Sequence, residues 1–398
     1  MKNCFLFSVF AAFSLYLSAC CNNPKPVITG AEQIEAYLPL LQQKRVGILT
    51  NHTAMIGQTH LVDSLLSLGV NIHTIFAPEH GFRGDVDAGG AINDDVDPIT
   101  GIPIVSLYGI GRYMPTDSMM QQLDIMIYDI QDVGLRFYTY MTSMYYLMET
   151  CARNNVPLIL LDRPNPNGHY VDGPLLDTAK HRSFVGIIPI TVVHGMTLGE
   201  LTGMINGEKW LKGGLQCDVT VIKCKNYTHQ TLYSVPIPPS PNLPNDRSIY
   251  LYPSLCLFEG SAVSLGRGTD APFQIYGHPE MTGHDFSFTP VSVQAARRPL
   301  HMDKLCFGVD LRTEPSNEAI FEEGFTLKYV IDAYQNLNNA IQIGEGFFRP
   351  SFERLVGVSY VREMILAGKG ADEIKAMWKD DVEQFKKARA PYLLYPLQ

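Results

Sequence analysis

Several carboxylates follow short apolar runs of the chain and stand close to arginine, histidine or tyrosine residues. They are Glu79, Asp129, Asp132 and Asp162. A protonated and an ionised carboxyl group acting together can perform general acid and base chemistry. With an aromatic neighbour such as Tyr138, a pair of this kind suits the cleavage of a glycosidic bond. The residues themselves therefore favour carboxylate chemistry on a carbohydrate.

Three other kinds of chemistry have less support in the residues. Residues 262–266 have alanine where a serine-hydrolase elbow has its first glycine, so Ser264 is a weak candidate for a nucleophile. His80 follows Glu79 without the H-E-x-x-H spacing or a matched set of metal ligands. The loop after the first predicted strand has no glycine to approach a nucleotide phosphate. We expect neither a metal nor a cofactor, and a metal- or serine-dependent hydrolase remains an alternative.

Strand and helix patterns alternate through the first half of the chain. The predicted strands cover residues 46–50, 71–77, 102–107, 124–130, 156–161, 189–193 and 219–223. Helical spacing is seen at Leu61, Leu65 and Leu68, and across residues 138–154 and 197–210. This alternation predicts an α/β fold with an open, mostly parallel sheet that has helices on both faces.

The polar residues of this half follow the ends of the predicted strands. In an open α/β sheet, ligands bind outside the carboxyl ends of the strands, so these loops should meet at one edge. The candidate substrate-binding residues there are Asn51, His52, His80, Arg83, Gln131, Arg136, Tyr138, Asp162, Arg163, Asn165 and His194. Any one of these loops could be ordinary turn chemistry, but five of them at one edge favour a functional site.

A proline-rich segment at residues 236–244 divides the chain, because neither a helix nor a central strand tolerates such a run. We predict a linker there, a catalytic domain over residues 31–235 and a smaller α+β auxiliary domain over residues 245–398. A late helix has an apolar stripe that predicts packing against the core. Its residues are Ile374, Met377, Trp378, Val382 and Phe385.

The first residues have the pattern of an export signal. Lys2 is followed by an apolar run that is too short to span a membrane as a helix. The run ends in LSAC, where Cys20 matches the cysteine that is lipidated in bacterial lipoproteins. We expect residues 1–19 to be removed, residues 20–30 to form a tether, and the protein to be a membrane-anchored lipoprotein on the periplasmic or cell-surface side. Its only membrane contact would be the lipid. The alternative is an ordinary cleaved signal followed by an unmodified cysteine.

Charge and cysteine content limit the remaining function classes. The 398 residues include 31 basic and 40 acidic side chains, a formal charge of −9. An acidic chain binds a phosphate backbone poorly, so we expect no nucleic-acid partner. The cysteines beyond Cys20 form no C-x-x-C pair, which favours buried free thiols and leaves disulfides open.

The strand-end loops also carry a family resemblance. Residues 76–84 (FAPEHGFRG), 128–140 (YDIQDVGLRFYTY) and 161–168 (LDRPNPNG) resemble signature stretches of the bacterial exo-β-N-acetylmuramidase family (NamZ type, glycoside hydrolase family 171). Further matching stretches are HGMT from His194, PSPN from Pro239, FEG from Phe258 and GRGT from Gly266. Together the motifs run in order from about residue 46 to residues 392–395.

The resemblance implies a Rossmann-like catalytic domain that meets an auxiliary domain across a cleft. It implies release of N-acetylmuramic acid from the non-reducing ends of peptidoglycan fragments, so muropeptides or disaccharides are the expected partners. Glu79 is then the expected catalytic acid, with Asp129 or Asp132 orienting the 2-acetamido group of the substrate. Glu259 and Arg267 join the substrate-binding candidates through the same motifs.

The lactyl carboxylate of such a substrate requires a cation, and Arg136, Arg163 and Arg267 are the candidates. Ser261, Leu265 and Asn167 depart from the usual family residues. A non-catalytic muropeptide-binding lipoprotein that uses the same pocket is the alternative function.

Overall fold

The computed structural model describes residues 25–83, 94–109 and 111–398 of the chain. The expected signal peptide, the lipidation residue Cys20 and the first part of the predicted tether lie outside the described residues. None of the described helices is long and apolar enough to cross a membrane.

A seven-stranded sheet forms the centre of the first half. Its strands are β1 (Val46–Thr50), β4 (Ile72–Ala77), β5 (Asp95–Val96), β6 (Pro103–Ser106), β7 (Ile125–Asp129), β8 (Leu158–Leu161) and β9 (Val219–Ile222), while β2 (Met55–Ile56) and β3 (Thr59–His60) pair separately. The order across the sheet is β5-β6-β4-β1-β7-β8-β9, and every neighbouring pair is parallel except β5 with β6. β1, β7 and β8 are buried along their whole length, as covered parallel strands should be. The predicted mostly parallel α/β sheet is confirmed.

Among the described residues, six α-helices accompany this sheet. They are α1 (Ile34–Leu41), α2 (Leu61–Ser67), α3 (Asp117–Met120), α4 (Thr139–Asn154), α5 (Thr178–His181) and α6 (Leu198–Gly207). α6 begins with a capping box, in which Thr197 and Glu200 satisfy each other's backbone N–H groups. Asn155 caps the C-terminus of α4, and its left-handed φ of 53° turns the chain toward β8.

The predicted strand at residues 189–193 is wrong. Val193 makes only isolated bridges, to Leu135 and to Asp172. β8 is paired on both sides, with β7 and β9, so this segment meets no free edge of the sheet there. Pro189 also lacks the N–H group that a ladder needs. The segment instead packs against the strand-end loops.

The second half has the predicted α+β character. Its antiparallel sheet has the order β10 (Ile275–His278), β12 (Cys306–Asp310), β11 (Phe286–Phe288). Its helices are α7 (Asp246–Leu255), α8 (Asn317–Glu323), α9 (Lys328–Ile341), α10 (Phe352–Val356), α11 (Tyr360–Leu366), α12 (Ala371–Lys375) and α13 (Lys379–Arg389). A 3-10 turn at Ala376–Trp378 separates α12 from α13 and turns Met377 outward, so its predicted place in the apolar stripe is wrong.

The two halves share one hydrophobic core, which includes residues of both sheets and of the helices between them. The proline-rich segment is fastened to the first half, because the hydroxyls of Tyr138 and Tyr140 both donate to the carbonyl of Pro239, at 2.9 and 3.1 Å. The end of the chain also returns there, where the Tyr395 hydroxyl donates to Asp162 Oδ2 at 2.6 Å. These contacts fix the two halves against each other around the strand-end loops.

Five cysteines of the described part of the chain are buried free thiols, which agrees with the favoured interpretation of the sequence. They are Cys151, Cys217, Cys224, Cys256 and Cys306. Burial raises the pKa of Cys306 to about 11, so its sulfur stays a neutral thiol at physiological pH.

Candidate active site

A cleft of about 810 Å³ lies between the loops that follow β4, β6 and β7 and the first part of the second half. Polar side chains on its walls are Glu79, His80, Tyr108, Thr139, Ser240, Glu259, Arg267, Arg297 and Arg298. Aromatic side chains on its walls are Phe137, Tyr138, Tyr140, Tyr252 and Phe273. Of the predicted site residues, Glu79, His80, Tyr138, Glu259 and Arg267 lie in this cleft.

Glu79 enters the cleft from a sharp turn at the end of β4. The next residue, His80, is buried and has a φ of 71°, and Gly81 follows with a φ of 79°. A left-handed conformation is costly for histidine and marks a position that the surrounding structure enforces. The Glu79 carboxylate is half-buried and accepts a hydrogen bond of 2.7 Å from Thr139 Oγ1. The Tyr108 hydroxyl also bonds to it, so Glu79 is held in one orientation.

Aromatic rings form a further part of the cleft wall. Tyr252 packs edge-on against Phe137, Tyr138 and Phe273, with ring centroids 5.5, 5.9 and 4.8 Å apart. Edge-to-face packing of this kind rigidifies an apolar surface. The faces of pyranose rings are themselves apolar, so such a wall suits a sugar.

The opposite charge in the cleft comes from the second half. Arg267 pairs with Glu259, and its guanidinium carbon lies 5.0 Å from the centre of the Phe273 ring. Arg297 and Arg298 approach from the loop that precedes β12. A carboxylate, an ion pair and further arginines therefore surround one concave surface with aromatic walls.

Asp129 and Arg163 form a buried ion pair outside the cleft. Arg163 Nε and Nη2 donate to the two Asp129 carboxylate oxygens at 2.5 and 2.9 Å. The side chains are 6% and 0% exposed, and neither lines the cleft. Because each of these charges is already neutralised by the other, the expected roles of Asp129 in orienting substrate and of Arg163 in binding it are corrected. The pair stabilises the ends of β7 and β8.

Asp132 and Gln131 are also enclosed by protein. Asp132 Oδ1 accepts from the Gly134 N–H at 2.7 Å, and burial raises the pKa of Asp132 to about 7. Asp132 lines a cavity of about 10 Å³, which has room for little more than one water molecule. Gln131 Nε2 donates to the carbonyls of Asp132 and Pro164, both at 2.8 Å. The expected contact of Asp132 with a substrate acetamido group is therefore corrected as well.

Arg136 joins the two halves and is not a substrate ligand. Its side chain is fully buried, and its Nη1 and Nη2 atoms donate to four backbone carbonyls. Two of these belong to Pro174 and Ile190, and two to Leu355 and Val356 of the second half. Burial lowers the pKa of Arg136 to about 9. The expectation that Arg136 binds the substrate carboxylate is contradicted, because its donors are directed at the backbone.

Three further predicted ligands are buried and do not line the cleft. They are Asp162, Asn165 and His194. Asp162 Oδ2 accepts from Thr197 Oγ1 at 2.7 Å, and Asn165 Nδ2 donates to the Met196 carbonyl at 2.9 Å. Burial and two nearby arginines lower the pKa of His194 to about 3, so this ring is neutral at physiological pH. These three predicted ligands build the framework beneath the site.

Asn51, His52 and Arg83 hold loops at the same edge of the sheet. Asn51 Oδ1 accepts from Thr53 Oγ1 at 2.6 Å, and His52 Nε2 lies 2.8 Å from the Pro238 carbonyl. Arg83 Nη2 contacts both carboxylate oxygens of Asp97, at 3.1 and 3.0 Å. None of the three is among the described residues that line the cleft, and their contact with substrate stays a prediction.

The cleft contains residues that the sequence did not single out. Thr139 and Tyr140 belong to the stretch that carried the family resemblance, and Ser240 lies in the PSPN stretch, so the motifs already contained them. Arg297 and Arg298 come from an auxiliary loop without any motif. No pattern in the sequence connected that loop with the Glu79 turn more than 200 positions earlier.

The described residues contain no cluster of metal ligands. Across residues 25–83, 94–109 and 111–398, no group of three or more His, Cys, Asp or Glu side chains is arranged to hold a metal ion. The cleft is lined by the half-buried Glu79 carboxylate, the Arg267–Glu259 ion pair and aromatic rings.

The Glu79 carboxylate beside aromatic walls fits the cleavage of a glycosidic bond, and the known relatives support a glycosidase. Family models agree: residues 46–247 match the N-terminal domain, and residues 250–395 the C-terminal domain, of exo-beta-N-acetylmuramidase NamZ. The chain belongs to the exo-β-N-acetylmuramidase NamZ family.

Known relatives cover almost the whole chain. The peptidoglycan beta-N-acetylmuramidase NamZ of Bacillus subtilis (strain 168) is 35% identical in an alignment of 381 residues that covers 90% of this chain and 89% of that protein. Two DUF1343 family crystal structures from Bacteroides fragilis NCTC 9343 have the same fold. One is 58% identical with a TM-score of 0.86, the other 27% identical with a TM-score of 0.78, and each covers 93% of this chain and 99% of its own.

Proposed function

We propose that this protein is an exo-acting peptidoglycan β-N-acetylmuramidase that releases N-acetylmuramic acid from non-reducing ends, with Glu79 as the general acid. The observation that carries the proposal is the position of Glu79, half-buried on the cleft wall and held by Thr139 and Tyr108. Membership of the NamZ family supports the substrate class.

The chemistry assigned to Glu79 is proton donation. As the glycosidic bond breaks, the Glu79 carboxyl transfers its proton to the leaving oxygen and the sugar develops oxocarbenium character. Water supplies the new oxygen on the anomeric carbon, and the proton that this water loses balances the one that Glu79 gave. The hydrogen bonds from Thr139 and Tyr108 hold the Glu79 carboxyl group on the cleft wall, where it can approach the bond that is cleaved. A proton donor fixed in this way typically contributes 10²- to 10⁴-fold to the rate, roughly.

Substrate selectivity tests this proposal directly. We expect the purified protein to release the chromophore from an aryl β-N-acetylmuramide and to leave the matching N-acetylglucosaminide intact. Of the two isomeric disaccharides, the one with N-acetylmuramic acid at the non-reducing end should be cleaved, and the one with N-acetylglucosamine there should not. Product analysis by mass spectrometry measures both. Cleavage of neither disaccharide, or of both equally, contradicts the proposal.

We also propose that the chain is exported and anchored through lipid on Cys20. The support is the short apolar run and the LSAC sequence before this cysteine. Fatty-acid labelling in a bacterial host should mark the full-length protein, and Cys20→Ser should abolish the label. Cys21→Ser is the matched control and should keep it. Labelling that persists in Cys20→Ser is inconsistent with this anchor.

A further inference from the structure

One of the three arginines on the cleft walls differs from the other two. Arg267 is paired with Glu259 and stacked on Phe273. Arg297 already has an interaction of its own. Arg298 lines the cleft with an exposed side chain, and it has no carboxylate partner among the residues that the structure describes. Its five N–H donors are therefore available to a ligand.

The loop that carries Arg298 is fixed on both sides of the cleft. The Val291 N–H donates to the Gly268 carbonyl at 2.9 Å, and Asn242 Nδ2 of the proline-rich segment donates to the Ala295 carbonyl at 2.9 Å. Pro299 packs so closely on Gly268 that a Cβ atom at Gly268 would lie 2.6 Å from the proline ring. The backbone at position 298 is thus held in place, while its side chain reaches into an open surface.

The negative charge of the protein means that an anionic sugar needs a cation in the cleft. The whole chain has a formal charge of −9, and Glu79 itself lies in the cleft, so the background field disfavours an anionic ligand. An anionic sugar therefore needs a local cation that is not already neutralised. Arg136 and Arg163, which the sequence offered for this task, are directed at backbone carbonyls and at Asp129.

We propose that Arg298 binds the lactyl carboxylate of N-acetylmuramic acid through its planar guanidinium fork and sets the preference for this sugar. This inference rests on the proposed function. N-acetylglucosamine has the same ring and acetamido group without the carboxylate, so the contact distinguishes the two sugars. A hydrogen-bonded guanidinium–carboxylate pair contributes roughly 1.5 to 3 kcal/mol, which corresponds to about 10- to 150-fold in affinity.

The experiment compares four proteins on a charged substrate and on an uncharged one. Wild type, Arg298→Ala, Arg298→Lys and Arg297→Ala are each assayed on an aryl β-N-acetylmuramide and on its lactyl methyl ester, which has the same shape without the charge. We expect Arg298→Ala to raise KM for the acid at least 10-fold with a small change in kcat, and to change KM for the ester less than 2-fold. Arg298→Lys should restore part of the loss, because it keeps the charge but not the fork.

Three results would overturn the assignment. They are an Arg298→Ala variant with unchanged KM for the acid, a loss that is equally large for the ester, and a carboxylate-dependent loss in Arg297→Ala in place of Arg298→Ala. Failure of the proposed function is a separate result: wild-type protein would then neither cleave the acid nor bind free N-acetylmuramic acid in calorimetry. Since Arg298 is exposed, all four proteins should fold alike, and circular dichroism verifies it.

Discussion

Replacing Glu79 by glutamine should lower kcat on an aryl β-N-acetylmuramide on the order of 10³-fold while the protein stays folded. Glutamine has nearly the same shape, and its amide oxygen can still accept the hydrogen bond from Thr139 that the carboxylate accepts. It has no acidic proton to give to the leaving oxygen. A loss of this size corresponds to about 4 kcal/mol of transition-state stabilisation. Steady-state kinetics measure the loss, and thermal unfolding verifies the fold.

One further variant and one further substrate make this result specific. Glu35→Gln, on the exposed side of α1, has the same chemical change far from the cleft and should keep full activity. A better leaving group needs less help from an acid, so a dinitrophenyl substrate should recover part of the loss in Glu79→Gln. Full activity of Glu79→Gln, or a loss that does not depend on the leaving group, would remove Glu79 from the role of acid.

The second large effect concerns stability. Asp129→Ala should lower the free energy of unfolding by roughly 3 to 5 kcal/mol, because it leaves the buried Arg163 guanidinium without its partner. Denaturant unfolding followed by circular dichroism measures this change. Activity per folded molecule should fall far less than in Glu79→Gln, since Asp129 does not line the cleft.

The chain contains a matched control for this prediction. Arg45 and Asp124 form the same fork-shaped contact, with Nη2 and Oδ1 2.8 Å apart, but their side chains are 45% and 33% exposed. Water can solvate either charge when the other is removed, so Asp124→Ala should destabilise much less than Asp129→Ala. Equal losses in the two variants would contradict the role assigned to burial.

Much of the first half could be predicted from local pattern. The runs that became β1, β7 and β8 are largely apolar, which is typical of parallel strands that are covered on both faces. Residues 189–193 have the same local character and form no strand. The difference lies in the neighbouring strands, since β7 and β9 already occupy both edges of β8. Pairing partners are a property of the whole sheet, and no window of sequence contains them.

The sequence by itself determined the strand-end loops, their polar composition and the Glu79 turn, because each depends on residues that are adjacent in the chain. Only the tertiary structure decided which of these residues face a ligand. Asp129, Asp132 and Arg136 are as polar as Glu79, yet burial and protein partners occupy them. The cleft is completed by Arg267 and Arg298 from the second half. A carboxylate or a guanidinium becomes part of a site when its side chain lines the cleft, and the shape of the cleft depends on contacts between distant parts of the chain.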